Sequence, residues 1–361
     1  MAVIGASADP SSGKNPPKDL QIAIAGDLHG QWDGLDEELL DLLRPDALMV
    51  VGDLSDGDQL IAARLGRLKL PMACVLGNHD AGRDASGRTL QRQLSLLGDR
   101  HCGWGLRCLD PPGLAVVGGR PASAGGGFRL NPGALAVFGP VTMQESVDRI
   151  TAAALAADPV LPMVLLAHCG PSGLGSTCAD PCGRDWKKPA VDWGDQDLTV
   201  AIERIRRHRP LPLVVFGHMH HRLRRGQGER LSFLRDRAGT AYLNTACVPR
   251  HGNDDQGRAL RHFSWVVLRD GQLHQASHRW YGTGGQLLSS SASTTSRPRR
   301  CRPLRQRHAD RRLHQWPWLW PPFPHGLDPH RPAPAPARLA PSALHPLAGS
   351  HPAGRLWGGP V

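Results

Sequence analysis

Five short polar segments, each preceded by an apolar run, constrain this chain more than any other feature: Gly26-Asp27-Leu28-His29, Gly52-Asp53, Gly77-Asn78-His79-Asp80, Ala167-His168 and Gly217-His218-Met219-His220. The runs before them are Gln21–Ala25, Ala47–Val51, Met72–Leu76, Met163–Ala167 and Leu213–Phe216. Their length and apolar content are those of buried strands. Helical patterns over Asp36–Leu43 and Gln59–Leu65 separate the first three. This β-α-β-α-β rhythm calls for parallel strands joined by crossover helices. In open α/β sheets, ligands bind outside the carboxyl ends of the strands. Five polar clusters at five strand ends therefore converge on one cleft. A lone His beside a Gly is an ordinary loop residue, and the weight lies in the combination.

The remaining pattern completes an α/β domain over residues 20–281. Leu114–Val117 reads as a strand, and Met143–Ala156 and Asp197–His208 as helices. Ala241–Thr245, His262–Leu268 and Leu273–Trp280 follow without a helix between them, the last two as a hairpin around Asp270-Gly271. The later strands are accordingly expected to be antiparallel. Residues 1–19, with Pro10, Ser11, Ser12, Gly13, Pro16 and Pro17, read as a flexible leader. From Gly282 to Val361 the composition shifts to Pro, Arg and His without apolar periodicity, which reads as a disordered tail or as out-of-frame translation.

Charge narrows the partners. The chain carries a net +11, but residues 282–361 hold 11 Arg and only 2 Asp, so the body is close to neutral. A body so balanced argues against a nucleic-acid platform. No apolar run is long enough to span a membrane. The 8 Cys lack regular spacing, and no secretory signal opens the chain, which fits reduced thiols in the cytoplasm. Cys178 and Cys182 read as free thiols in a loop in preference to a structural zinc pair.

The residue types in the five segments decide the chemistry. Imidazole and carboxylate suit Mn, Fe, Zn or Ni, and the lack of Cys argues against a closed structural zinc site. Two Asp, one Asn and four His exceed what one four-coordinate ion needs. They suit two divalent ions sharing a carboxylate, an arrangement that clamps both oxygens of a phosphoryl displacement. The Gly before each ligand is expected to let the backbone turn sharply.

The series D-x-H, G-D, G-N-H-D, H, G-H-x-H resembles the calcineurin-like metallophosphoesterase superfamily. The spacing fits as well, with Asp27 and Asp53 separated by 26 positions and Asp53 and Asn78 by 25. Within the superfamily the chain is similar to a branch from cyanobacteria and plastid-bearing plants, which implies a plastid stroma location if the source is a plant. The resemblance implies a β-sandwich flanked by helices, in four layers α-β-β-α, with a dimetal site at the strand ends. It implies that Asp27, His29 and His220 bind one metal, that Asn78, His168 and His218 bind the second, and that Asp53 bridges both. His79 would contact the phosphate and protonate the leaving oxygen, oriented by Asp80, and Asn78 would also touch substrate. The nucleophile would be a metal-bound hydroxide, and the substrate a phosphorylated small molecule.

Arg120 and Arg250 are candidate phosphate-gripping residues, with Asn244 beside them, against the reading of solvated loop positions. Asp195 is placed to cap a helix, and His221 reads as a spectator. Arg222, Arg224 and Arg225 read as a solvated basic face. Two related activities compete. The first segment is similar to that of Ser/Thr protein phosphatases, but Gly52-Asp53-Leu54-Ser55-Asp56-Gly57-Asp58 lacks that family's Arg and the third motif ends in Asp80. A cyclic-nucleotide or other small phosphodiesterase stays open. A non-catalytic scaffold is disfavoured because every ligand and His79 are present.

Overall fold

The computed structural model describes residues 19–224 and 228–292. Strand β1 (Leu20–Ala25) sends successive side chains into two different interiors: Ile22 and Ile24 enter one apolar cluster, Ala23 and Ala25 another. Strand β2 (Ala47–Val50) repeats the division, with Ala47 and Met49 on one side and Leu48 and Val50 on the other. A strand apolar at every position has to be covered on both faces. That requirement builds the fold.

In the first half, β1 leads to helix α1 (Gly34–Leu43), β2 to α2 (Leu60–Leu65), and β3 (Met72–Cys74) to α3 (Arg88–Leu97). Helix α1 starts in a capping box between Asp33 and Asp36, two residues ahead of the expected Asp36. Then come β4 (Leu106–Leu109), β5 (Leu114–Gly118), α4 (Pro132–Phe138), α5 (Met143–Ala156), β6 (Met163–Cys169), α6 (Gln196–Arg206) and β7 (Leu213–Gly217). The last stretch holds β8 (Phe233–Arg235), β9 (Ala241–Asn244), β10 (His251–Asn253), β11 (Ala259–Arg269), β12 (Gln272–Gly282) and β13 (Leu287–Ala292).

These strands form two sheets. The first runs β13-β12-β11-β1-β2-β3, with β10 on β11; the second runs β4-β5-β6-β7-β9-β8. In the first, β1, β2 and β3 are parallel, as are β5, β6, β7 and β9 in the second. Ile22, Ile24 and Met49 meet Val116, Val164, Leu166 and Val215 between the sheets. The outer face of the first sheet packs on Leu39, Ile61, Leu65 and Leu90 of the first three helices. The outer face of the second packs on Val147 and Ile150 of α5 and Ile202 and Ile205 of α6. The order is helix, sheet, sheet, helix, as expected. Each fully buried Leu or Ile contributes roughly 1.5–3 kcal/mol.

Several expectations need correction. β9 pairs parallel to β7, though antiparallel to β8, while β11 and β12 pair antiparallel as expected. The Asp270-Gly271 hairpin forms as expected, with φ of 51° and 72°. The ordered body continues past Tyr281, because β12 ends at Gly282 and β13 pairs with it across Tyr281↔Leu287. Asp19, assigned to the leader, is ion-paired to Arg269 at 2.5 Å. The rest of the leader, Arg225 and residues beyond 292 lie outside the described residues. No helix among the described residues is long and apolar enough to cross a membrane.

Candidate metal centre

The carboxyl ends of β1, β2, β3, β6 and β7 carry the five polar segments, so the cleft spans both sheets. His168 differs from the others in lying inside β6, where the pairing with β7 shifts register between Leu166 and Cys169. Asp27, His29, Asp53 and His218 all adopt left-handed backbone, with φ of 43°, 43°, 48° and 66°. Such strain in non-glycine residues is typical of functional sites and costs of order 1–3 kcal/mol each.

The glycines before them do a different job from the one expected. Gly26, Gly77 and Gly217 do not have positive φ; only Gly52 does, at 94°. A Cβ on Gly77 would lie 2.2 Å from Asp53 Oδ1 and 2.6 Å from His168 Cε1, and one on Gly217 would lie 2.2 Å from Asp27 Oδ1. These glycines make room for the ligands of neighbouring strands, and the ligands themselves carry the unusual backbone.

Two groups of three converge: Asp27 with His29 and His220, and Asp53 with His168 and His218. His29 Nε2 lies 3.2 Å from His220 Nε2, and His220 Nε2 lies 3.4 Å from Asp27 Oδ2. His168 Nε2 lies 3.0 Å from Asn78 Oδ1 and 3.4 Å from Asp53 Oδ1. Asp53 links the groups, since its Oδ2 faces His29 Nε2 at 3.8 Å. His168 Nδ1 meets the Val51 carbonyl at 2.7 Å, which fixes the ring so that Nε2 points inward.

The electrostatics ask for a cation. Asp27 and Asp53 are buried to 0% and 2% exposure. Burial pushes the Asp27 carboxyl up to about 6, His168 opposing. Burial works against the His168 charge, yet Asp53 pushes that imidazole up to about 10. Asp53 itself is held well below the usual carboxylate range, because His168 outweighs burial. Burial drops His218 and His220 to about 3, keeping them neutral. Asp27 Oδ2 and His218 Nε2 are buried without a hydrogen-bond partner. Buried polar groups left without a hydrogen bond are costly, and divalent cations bound at the two donor groups would satisfy them.

The other expected residues fare unevenly. Asp80 does not orient His79. Its carboxylate accepts from Leu54 N and Gly77 N, each at 2.7 Å, and so ties the β2 loop to the β3 loop. Asp56 takes the orienting place, with Oδ1 2.7 Å from His79 Nδ1. Sequence reasoning missed Asp56, although a second carboxylate three residues after Asp53 was the available signal. Its hydrogen bond raises the His79 imidazole despite burial and lowers the Asp56 carboxyl.

Arg120 and Arg250 are not phosphate grips. Arg120 is 2% exposed, with Nη2 on Asp195 at 2.5 Å, Nε on Asp197 at 3.1 Å and Nη1 donating to the Arg129 carbonyl. Arg250, 1% exposed, pairs with Asp36 at 2.8 Å, donates to the carbonyls of Gln31 and His262, and lies over Phe263. Asp195 sits at the α6 N-cap but makes no side-chain cap bond, its carboxylate being engaged by Arg120 and Ser123. Asn244 is buried and donates to the Met219 carbonyl, bracing the segment between His218 and His220. His221 turns away to the Asn244 carbonyl.

The signature of calcineurin-like phosphoesterases matches residues 20–222, and the chain belongs to that family. The family hydrolyses phosphoric esters with divalent metal ions, and the two donor groups are candidate ligands for them. Three solved structures are similar. The protein TT1561 of Thermus thermophilus is 15% identical, with 74% of this chain and 100% of that one covered and a TM-score of 0.47. A dimetal phosphatase from Danio rerio is 12% identical, with 77% and 99% covered and a TM-score of 0.43. Phosphopantetheinyl hydrolase from Mycobacterium tuberculosis is 17% identical, with 62% and 88% covered and a TM-score of 0.35. Likenesses this distant leave the assignment to the family signature. No curated protein sequence matches the chain.

Proposed function

We propose that this protein is a cytoplasmic hydrolase of phosphorylated small molecules that works with two divalent cations. The observation that supports this best is the convergence of Asp27, His29, Asp53, Asn78, His168, His218 and His220, with Asp27 Oδ2 and His218 Nε2 buried and lacking hydrogen bonds. Asp27, His29 and His220 would hold one ion, Asn78, His168 and His218 the other, and Asp53 would contact both. Divalent ions there supply Lewis-acid polarisation of the phosphoryl group and of a water.

The protein's own residues supply the rest. His79 delivers a proton to the leaving oxygen. Asp56 holds its Nδ1 and leaves Nε2 as the ring's other proton site. Asp80 fixes the loops that carry Asp53 and Asn78, so the donors are in place before substrate arrives.

The test is hydrolysis of p-nitrophenyl phosphate and bis-p-nitrophenyl phosphate by the full chain with added Mn²⁺. Turnover should disappear with a chelator and return with metal. Asp53→Asn should lower turnover by orders of magnitude and reduce bound metal. Near-normal turnover with two metals still bound in that variant would overturn the bridging role. His79→Ala should keep the parent's metal content and lose about 10²–10⁴ in rate on esters with poor leaving groups.

A further inference from the structure

The segment between β6 and α6 folds back beside the donor cluster as a narrow ribbon. Gly183 and Asp192 pair antiparallel, Arg184 N donates to the Val191 carbonyl, and Trp193 N donates to the Cys182 carbonyl. Arg230 staples its base to the centre. Its Nη1 donates to the carbonyls of Cys178, Asp180 and Gly183, and its Nε to the carbonyl of His220. A ribbon held this way keeps its tip at a fixed place relative to His220.

Two indoles stand on the ribbon, Trp193 at its base and Trp186 near its tip. Trp193 is locked: Nε1 donates to the Ala124 carbonyl at 2.8 Å, Arg184 lies 4.8 Å over the ring, and a Cβ on Gly126 would come within 2.2 Å of it. Trp193 also borders a separate cavity of about 290 Å³ with Gly126, Gly127, Ser172 and Gln196, which neither Trp186 nor His218 lines. Trp186 leans edge-on against Trp193, ring centroids 5.4 Å apart, and stands 6.5 Å from the ring of His218. Both indoles are half-buried. No hydrophobic core cluster among the described residues includes them.

We infer that Trp186, backed by the locked Trp193, walls a subsite for a planar aromatic group carried by the ester, a nucleobase or an aryl ring. The inference rests on the phosphoesterase reading of the neighbouring centre. Indole faces stack on planar rings with little sequence or shape demand, and each such contact contributes measurably to affinity. The distance from His218 places the wall next to the phosphoryl position and separate from it. Trp186 would therefore select the ester group and leave the chemistry to the donor cluster.

The test uses the full chain with Mn²⁺, comparing phenyl phosphate and adenosine 5′-monophosphate with glycerol 2-phosphate. Trp186→Ala should raise KM for the aromatic esters roughly tenfold, with kcat and the glycerol 2-phosphate constants unchanged. Trp186→Phe should keep most of the preference, because a phenyl ring still stacks. A rise confined to phenyl phosphate identifies an aryl group, and one confined to adenosine 5′-monophosphate a nucleobase. Binding is read separately, as quenching of tryptophan emission on mixing with adenosine 5′-monophosphate but not with ribose 5-phosphate, absent in Trp186→Phe. Quenching without hydrolysis of any ester overturns the phosphoesterase reading and keeps the subsite. Hydrolysis with no quenching and equal KM values in parent and Trp186→Ala overturns the subsite. Loss of glycerol 2-phosphate turnover in Trp186→Ala also overturns it, because Trp186 would then brace the centre.

Discussion

His79 Nδ1 lies 2.7 Å from Asp56 Oδ1, a carboxylate 23 residues earlier in the chain, while its immediate neighbour Asp80 is turned inward onto backbone amides. The pairing assigns the two carboxylates opposite kinds of work. Asp56 is exposed at 68% and bears on His79 from the solvent side; Asp80 is buried and holds loops together.

Asp56→Asn is therefore expected to be nearly silent in stability and metal content but not in rate. An amide in place of the carboxylate loses the charge that holds the ring. Turnover on esters with poor leaving groups should fall by about ten- to a hundredfold, the usual cost of removing such a partner. Metal analysis and melting temperature measured beside kcat check it. A variant that loses metal would show Asp56 acting as a ligand, since it also groups with His29 and His79.

Gly77→Ala is expected to be far more damaging than its single methyl suggests. The new Cβ would sit 2.2 Å from Asp53 Oδ1 and 2.6 Å from Asp53 N, so either Asp53 or the β3 loop must move. Overpacking of this kind costs typically about 1–3 kcal/mol. The protein should remain folded, with metal content and turnover both reduced, as read by metal analysis and denaturation. Unchanged metal binding would mean that the cleft relaxes more easily than its packing implies.

Much of this arrangement was legible in the sequence because unbroken apolar runs of strand length and strand-end chemistry are local signals. The stripe Ile22, Ile24 against Ala23, Ala25 announces a doubly covered strand, and the donors follow each strand within a few residues. What was not legible depends on distant partners. Arg120 reads as an exposed phosphate grip until Asp195 and Asp197 close on it from beyond β6. Asp80 reads as the partner of His79 because it is adjacent, yet the loop turns its carboxylate to Leu54 and Gly77. β13 is half polar, Leu287-Leu288-Ser289-Ser290-Ser291-Ala292, and pairs at the sheet edge, where no buried face marks it. Helix α3 does carry a legible stripe, Leu90, Leu94 and Leu97, and is absent from the sequence reading despite it.

Arg120→Ala should separate structure from substrate binding. Removing the guanidinium leaves Asp195 and Asp197 buried without their counter-ion, and breaking a buried pair in this way costs about 3–5 kcal/mol. Chemical denaturation should show that loss, while KM for a small phosphate ester in the surviving folded protein stays near the parent value. A raised KM with unchanged stability would return Arg120 to the substrate.

Stability should fall on mild acidification, and His262 should account for part of the fall. The ring is 3% exposed, stacked on His278 at 5.7 Å and set against Trp280 at 5.2 Å. Burial, followed by His278, His221 and Arg250, holds its pKa well below the usual histidine value. The unfolded chain therefore takes up a proton near pH 6.5 that the folded chain refuses. The contribution is fully present above that pH and is lost as pH drops towards the folded pKa. Moving from about pH 6.5 to about pH 5 should therefore lower the unfolding free energy through this residue. His262→Phe keeps a ring against Trp280 and cannot titrate, so its unfolding free energy should change less than the parent's over that interval. Denaturation curves at about pH 7 and about pH 5 for both proteins decide it, and equal losses would place the acid sensitivity elsewhere.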